Sequence, residues 1–356
     1  MGLKRLLMNL FKKTAVSVGL SFLCLCMIAP TTYAANLPIS ASSFVIIDAK
    51  DKAIIYSRNP HTKRAPASTA KLLSVMVILD HLDPDDVVKV AAAATRVQPS
   101  KIHIAAGEQF YVRDLIKAML LCSANDAAYA LAISTGGTVS GFSRMMNAKA
   151  KSLGALHSNF LSPAGLPSKG QYSTAYDIAK IMMAAERYSL IVKTMKMRYA
   201  VITSLNGRKF HLKNTNKMLW RSKDREVIGK TGYTRRAQNC FAGRIRVGGK
   251  KMFVGIMGTS KRANLWHNLK KIAAFPPSAI RKTASSPILV NRKLHSRNKV
   301  KSIQRALAKA GYFKGPINGN FGPMTLEATK KFQKAKGLKV DGIVGPKTWK
   351  KLKAYL

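Results

Sequence analysis

Three short polar clusters, Ser68-Thr69-Ala70-Lys71, Ser123-Ala124-Asn125 and Lys230-Thr231-Gly232, punctuate a chain of 356 residues with hydroxyl, ammonium and amide groups suited to attacking and holding an acyl group. A serine nucleophile needs a base within hydrogen-bond reach and a second shell that keeps both groups aimed. Ser68 and Lys71 are three apart, so on a helix they share a face. Pro66 precedes them, and Leu72, Leu73, Val75, Met76, Ile78 and Leu79 follow, apolar nearly all the way round. That pattern predicts a buried helix starting close to Ser68. A helix N-terminus adds free backbone N–H groups and a partial positive charge, where an oxyanion is best placed. Lys71 must be largely neutral to act as a base, and desolvation together with a nearby cation such as Lys230 pushes it that way.

Each cluster by itself has a plain explanation. Ser68 and Lys71 read equally as a capping serine and a solvated lysine. Ser123 and Asn125 stand at a break between the apolar run Leu115, Ile116, Met119, Leu120, Leu121 and the helix-like Ala127, Ala128, Ala130, Leu131, Ala132, where a turn and a cap are usual. Lys230-Thr231-Gly232 enters a stretch of strand character that continues through Cys240, Phe241, Met252, Phe253, Val254, Ile256 and Met257, and Gly232 lets a substrate lie close to it. All three clusters, in this order and these contexts, point to a serine acyl-transfer enzyme.

Longer segments carry a resemblance to a known family. Pro66-Ala67-Ser68-Thr69-Ala70-Lys71-Leu72, Ser123-Ala124-Asn125-Asp126-Ala127, Gly165-Leu166 with Gln171-Tyr172-Ser173-Thr174-Ala175-Tyr176-Asp177, and Gly229-Lys230-Thr231-Gly232-Tyr233-Thr234 resemble the penicillin-binding proteins of the serine D-alanyl-D-alanine carboxypeptidase type, over roughly residues 38 to 275. The resemblance implies an α+β fold, a β-lactamase/transpeptidase-like domain with an antiparallel sheet flanked by helices. It also implies that Ser68 attacks the carbonyl between two terminal D-alanines while Lys71 takes its proton. Ser123 would relay that proton to the leaving D-alanine, and Asn125 would hold the substrate amide and the lysine. Lys230 and Thr231 would bind the terminal carboxylate, with Gly232 beside them. Backbone N–H groups of Ser68 and Tyr233 would form the oxyanion hole, and Arg262, after a connecting loop shorter than usual, is the best candidate for the arginine that members often place after the next strand to assist with the carboxylate. β-Lactams are then expected as covalent inhibitors. Two departures stand out: Ala70 replaces a frequent threonine, and Ala164 replaces a histidine of some members. No Glu-x-x-Leu-Asn segment lies between the second and third clusters, so efficient β-lactam hydrolysis is not expected.

The first residues locate the chemistry. Lys4, Arg5, Lys12 and Lys13 precede the apolar stretch Ala15 to Pro30, and Thr32-Tyr33-Ala34 ends in a small residue. This is the pattern of a secretory signal peptide over residues 1–34, cleaved after Ala34 or Ala35, with an uncleaved signal anchor as the alternative. Export places the mature chain in the periplasm or extracytoplasmic wall. Cys24 and Cys26 belong to the leader. Cys122 and Cys240 read as small apolar side chains, with a pairing across the site as the alternative. The seven histidines show no ligand spacing, so neither a catalytic metal nor another cofactor is expected.

The composition shifts near Phe275 and divides the chain. Residues 35–276 form the catalytic domain, and 277–298 read as a basic linker opened by Pro276-Pro277-Ser278 and holding Arg281, Lys282, Arg292, Lys293 and Arg297 without an acid. Residues 299–356 have their own helical periodicity, with Val300, Ile303, Leu307 and Ala310 on one face and Gly311 ending it. A second helix is expected from Thr325 and a third near Pro346. Ile303-Gln304-Arg305-Ala306-Leu307, Gly319-Asn320-Phe321-Gly322-Pro323-Met324-Thr325, Phe332-Gln333 and Val340-Asp341-Gly342-Ile343-Val344-Gly345-Pro346-Lys347-Thr348-Trp349 resemble the peptidoglycan-binding module of cell-wall hydrolases, a small three-helix fold. Lys and Arg number 61 against 15 Asp and Glu, a net charge of +46 that favours polyanions. For an exported chain these are wall polymers, stem-peptide carboxylates and anionic envelope surfaces rather than nucleic acid; a generally basic proteome is the alternative source of the charge. The reading that results is a D-alanyl-D-alanine carboxypeptidase with peptidoglycan as partner. Its rivals are an endopeptidase using the same residues on crosslinks, and a sensor that acylates but barely turns over.

Overall fold

The run Ser43-Phe44-Val45-Ile46-Ile47-Asp48 is apolar without alternation, the mark of a strand covered on both faces, and it forms the second strand of a five-stranded sheet. A computed structural model describes residues 37–220, 226–274, 297–319, 321–340, 342 and 344–356. In chain order the first part contains β1 (Ser43–Asp48), β2 (Ile54–Arg58), a 3₁₀ turn (Ala67–Ala70), α1 (Lys71–Leu79), β3 (Val87–Lys89), the short α2 (Ala92–Thr95) and β4 (Gln109–Tyr111). There follow α3 (Val112–Leu121), α4 (Asn125–Gly136), α5 (Val139–Ser152), α6 (Ala175–Ala185), α7 (Ser189–Lys196), β5 (Tyr199–Thr203) and β6 (Lys209–Lys213). The closing elements are β7 (Glu226–Thr234), β8 (Gln238–Val247), β9 (Lys250–Thr259) and α8 (Arg262–Ala274).

The sheet runs β2-β1-β9-β8-β7 with antiparallel pairing throughout, and β3-β4 and β5-β6 form two small ribbons. Alternation along β1 shows how the layers are divided. Val45 and Ile47 enter the core shared with the helices, whereas Phe44 and Ile46 enter a second core with Leu265, Trp266, Leu269 and Ile272 of α8. The helical core is built around α1, whose residues 71–78 are all buried. A helix apolar all round lies inside the protein, and burying each Leu or Val side chain there contributes about 1.5–3 kcal/mol. The expected α+β architecture of an antiparallel sheet flanked by helices is the one observed.

Helices α9 (Arg297–Lys309), α10 (Pro323–Ala335) and α11 (Pro346–Leu352) make up the C-terminal segment, so α9 begins two residues before the expected module boundary. Their core is Ile303, Ala306, Leu307, Phe313, Ala328, Phe332, Val344 and Leu352. Two buried glutamines bracket this core in the same way. Gln304 accepts from Gly319 N (2.9 Å) and donates to Thr325 Oγ1 (3.1 Å), while Gln333 accepts from Gly342 N (2.7 Å) and donates to Thr348 Oγ1 (3.2 Å). Each threonine lies in a Gly-Pro-x-Thr helix start, 322–325 and 345–348, and the glycines that the glutamines accept from, Gly319 and Gly342, both have φ +74, which a side chain resists. The leader, and the linker up to residue 296, lie outside the described residues.

Candidate active site

Ser68 sits half-buried in the 3₁₀ turn that runs directly into α1, and Lys71 is the first residue of that helix. The preceding Ala67 has φ +48, a left-handed conformation costly for a residue with a Cβ, which aims the turn. Lys71 is wholly buried and its Nζ lies 3.1 Å from Ser68 Oγ, 2.6 Å from Asn125 Oδ1 and 3.1 Å from the Ala164 carbonyl. An ammonium would donate to all three; a neutral amine donates to the two carbonyl oxygens and leaves its lone pair for the serine proton. Burial pushes the Lys71 pKa well below its ordinary value, Lys230 pushes the same way, and Asp126 opposes them. The structure thus brings together Ser68 and Lys71, the two side chains that the sequence reading paired.

Asn125 is held from two sides. Its backbone N–H donates to Ser100 O (2.7 Å) and its Nδ2 to Gln98 O (2.8 Å), which fixes the amide so that Oδ1 faces Lys71. Asp126, fully buried, accepts from the N–H groups of Ile102, His103 and Ile104 and so ties the segment after Ser100 to the start of α4. Ser123, in the break between α3 and α4, is buried at φ +65, another left-handed position. The sequence locates this turn; the positive φ is set by packing.

The Ala164 carbonyl is a member of the cluster that residue type does not reveal, because every residue has one. Its loop is pinned by Gln171, which accepts from Leu161 N and Ser162 N (both 2.9 Å) and donates to Leu166 O (2.6 Å), and by Ser74, which donates to Pro163 O (2.7 Å). Gly165, at φ +73, closes the loop onto the Ser68 turn, and a Cβ there would collide with the Ala67 carbonyl.

Strand β7 supplies the opposite wall. Lys230 is fully buried, with Nζ 3.1 Å from Thr231 O, and desolvation lowers its pKa to about 7. Thr231 Oγ1 shares a hydrogen bond with Thr215 Oγ1 (2.7 Å). A Cβ on Gly232 would lie 2.9 Å from Ser68 N, so the strand passes as close to the serine turn as backbone allows. Tyr233 is exposed at the end of this wall. Arg262 is exposed at the start of α8, where it lines a cleft with Lys217, Trp266 and Lys270; no hydrogen bond or ion pair joins it to Lys71 or Lys230 among the described residues. Cys122, half-buried, and Cys240, buried, are free thiols, with no disulfide between them. No group of three His, Cys, Asp or Glu side chains among the described residues is arranged to hold a metal ion.

Residues 30–261 match the D-alanyl-D-alanine carboxypeptidase family, about two thirds of the chain. The chain belongs to this family. Residues 296–352 match the putative peptidoglycan binding domain. Among curated relatives, a D-alanyl-D-alanine carboxypeptidase of Bacillus subtilis is 29% identical over 260 residues, covering 70% of this chain and 67% of its own. A D-alanyl-D-alanine endopeptidase of Escherichia coli is 30% identical, covering 71% of this chain and 85% of its own. Among solved structures, an evolved putative penicillin-binding protein homolog from Mycobacterium tuberculosis superposes with a TM-score of 0.62 at 28% identity, covering 67% of this chain and 93% of that one. The Streptomyces K15 DD-transpeptidase gives a TM-score of 0.62 at 26% identity, covering 66% of this chain and 95% of that one. Family membership accounts for the joint presence of the three clusters and for the antiparallel sheet that assembles them.

Proposed function

We propose that this chain is a serine D-alanyl-D-alanine carboxypeptidase that removes the terminal D-alanine of peptidoglycan stem pentapeptides through an acyl-enzyme. The observation that carries the reading is Lys71 Nζ in hydrogen-bond reach of both Ser68 Oγ and Asn125 Oδ1, inside a buried pocket that holds its pKa down. Lys71 takes the Ser68 proton as Oγ bonds to the penultimate D-alanine carbonyl carbon. The developing oxyanion meets backbone N–H groups of Ser68 and Tyr233, where Gly232 lets β7 approach. Ser123 returns the proton to the leaving nitrogen. Lys230 and Thr231 hold the terminal carboxylate, whose negative charge restores the protonated state that burial disfavours in Lys230. Water then cleaves the ester. Arg262 is the candidate for an arginine that assists the carboxylate, and β-lactams acylate Ser68 through the same groups.

The domain reading fits this chemistry: a leader over 1–34, a catalytic domain over 35–276, a basic linker over 277–298 and a wall-binding module over 299–356, with export to the periplasm or extracytoplasmic wall and contact with anionic envelope polymers. Endopeptidase action on crosslinks is the second reading, favoured by relatives of that name in Escherichia coli and Pseudomonas aeruginosa. The deciding experiment gives the mature chain and Ser68→Ala a stem pentapeptide, a crosslinked dimer and labelled penicillin. Release of free D-alanine and penicillin capture are both expected, and both should vanish in the variant. Capture without release from the pentapeptide would reject the carboxypeptidase, in favour of the endopeptidase if dimers fall to monomers.

A further inference from the structure

The β5-β6 ribbon turns one face inward and leaves the other in solvent. Ile202, Phe210 and Leu212 are buried, whereas Tyr199, Val201, Lys209, His211 and Lys213 are exposed, with Tyr199 opposite Lys213 and Val201 opposite His211. An outward strand face is ordinarily polar, yet Tyr199 is 59% and Val201 52% exposed. Trp220 stands edge-on to Tyr199 with ring centroids 5.8 Å apart, and the Lys213 ammonium lies 5.8 Å from the Tyr199 ring. Arg198 Nε donates to Leu219 O (3.0 Å) and fastens the Trp220 end to the ribbon. Between Glu186 and Asp224 the sequence contains no acid; Glu108 pairs with Arg208 at the ribbon's turn and Glu226 with Lys196 before it, while the face itself sets Tyr199, Val201 and Trp220 beside Lys209 and Lys213.

The chain that leaves the ribbon runs directly to the site already described. Lys213 O accepts from Cys122 Sγ (3.8 Å), next to Ser123; Thr215 N donates to Leu121 O (3.1 Å), and Thr215 Oγ1 bonds Thr231 Oγ1. Two residues beyond the ribbon the chain therefore touches the strand proposed to grip the substrate carboxylate.

We propose that this ribbon face is a platform for the glycan strand that carries the stem peptide. Sugar rings stack on Tyr199 and Trp220, whose flat apolar bodies end in polar groups, and Lys209 and Lys213 meet carboxylates of neighbouring stem peptides on the same strand. The proposal rests on the carboxypeptidase reading and extends it from the scissile bond to the polymer. Exposed rings with cations also suit an anionic lipid surface, but the connection through Thr215 to Thr231 favours the substrate.

The test compares the full chain with Lys209→Glu/Lys213→Glu and with the same pair plus Tyr199→Ser. D-alanine release is measured from a soluble pentapeptide and from uncrosslinked pentapeptide-bearing glycan strands. Both variants should hold the pentapeptide kcat/KM within about twofold, while KM for strands rises about tenfold at unchanged kcat and the wild-type advantage shrinks with added salt. An unchanged strand KM, or an equal loss on both substrates, overturns the platform. So does ribbon-dependent capture of vesicles of phosphatidylglycerol and phosphatidylcholine without any change in strand KM. Should the wild type release no D-alanine from the pentapeptide, the carboxypeptidase reading fails by itself. Co-sedimentation with strands, lost or kept in the variants, then decides the platform separately.

Discussion

Lys71 and Lys230 are two fully buried lysines, the charge of Lys230 helps to depress the Lys71 pKa, and the proposed chemistry asks opposite things of them. Lys71 must be neutral to accept the Ser68 proton, so acylation gains as pH rises through its depressed pKa. Lys230 must be charged to hold a carboxylate, so recognition is lost as pH rises through about 7 in the free enzyme. The expected profile of kcat/KM on a stem pentapeptide is a bell whose alkaline limb belongs to Lys230. Lys230→Arg, a cation that does not deprotonate, should move that limb upward even if the plateau falls. A midpoint that stays in place would remove Lys230 from the role. The residue types of this pair are legible in the sequence, since a Ser-x-x-Lys turn and a Lys-Thr-Gly strand advertise them. The Ala164 carbonyl is not, because a backbone acceptor leaves no mark in composition, and the Gln171 bonds that aim it depend on tertiary approach.

At the level of elements, periodicity shows α1, the break before α4 and the strand character of β7 to β9 because each is a local pattern. The pairing of β1 with β9 joins Ser43 to Met257, a contact no local pattern encodes, and the exposed Tyr199 and Val201 of β5 break the alternation that its partner β6 keeps. The serine turn likewise depends on tertiary approach, since Ala67 at φ +48 has the backbone of Gly165 packed against its carbonyl. Gly165→Ala should lower the melting temperature by several degrees, from roughly 1–3 kcal/mol of strain and collision, and slow penicillin capture as the turn shifts. Gly137 supplies the control. It also has a positive φ, +69, but its Cβ would meet nothing within 4 Å, so Gly137→Ala should cost stability alone. Equal capture rates in the two variants would show that the loop does not aim the nucleophile.

Across the whole molecule, the cations are distributed in a way that divides the labour. Residues 297–356 hold fifteen Lys and Arg against Glu327 and Asp341, around a core made of that segment's own side chains. Among the described residues, the two cores of the catalytic part draw on residues 37 to 273 and take nothing from beyond the linker. Removing residues 277–356 therefore deletes no side chain from either of those cores, and pentapeptide hydrolysis should persist within about twofold, since the acyl site and its supports all precede residue 263. Retention on purified sacculi should instead fall sharply. A tethered second site raises the local concentration of catalytic domain at the wall, and that gain disappears with the tether. What retention remains should weaken with salt, because scattered surface cations attract polyanions through a screened field. Sedimentation with sacculi at low and high ionic strength, alongside D-alanine release from the pentapeptide, reads both effects. Hydrolysis lost together with retention would mean that the C-terminal segment completes the catalytic fold, and retention unaffected would move wall recognition onto the catalytic domain and its cationic ribbon.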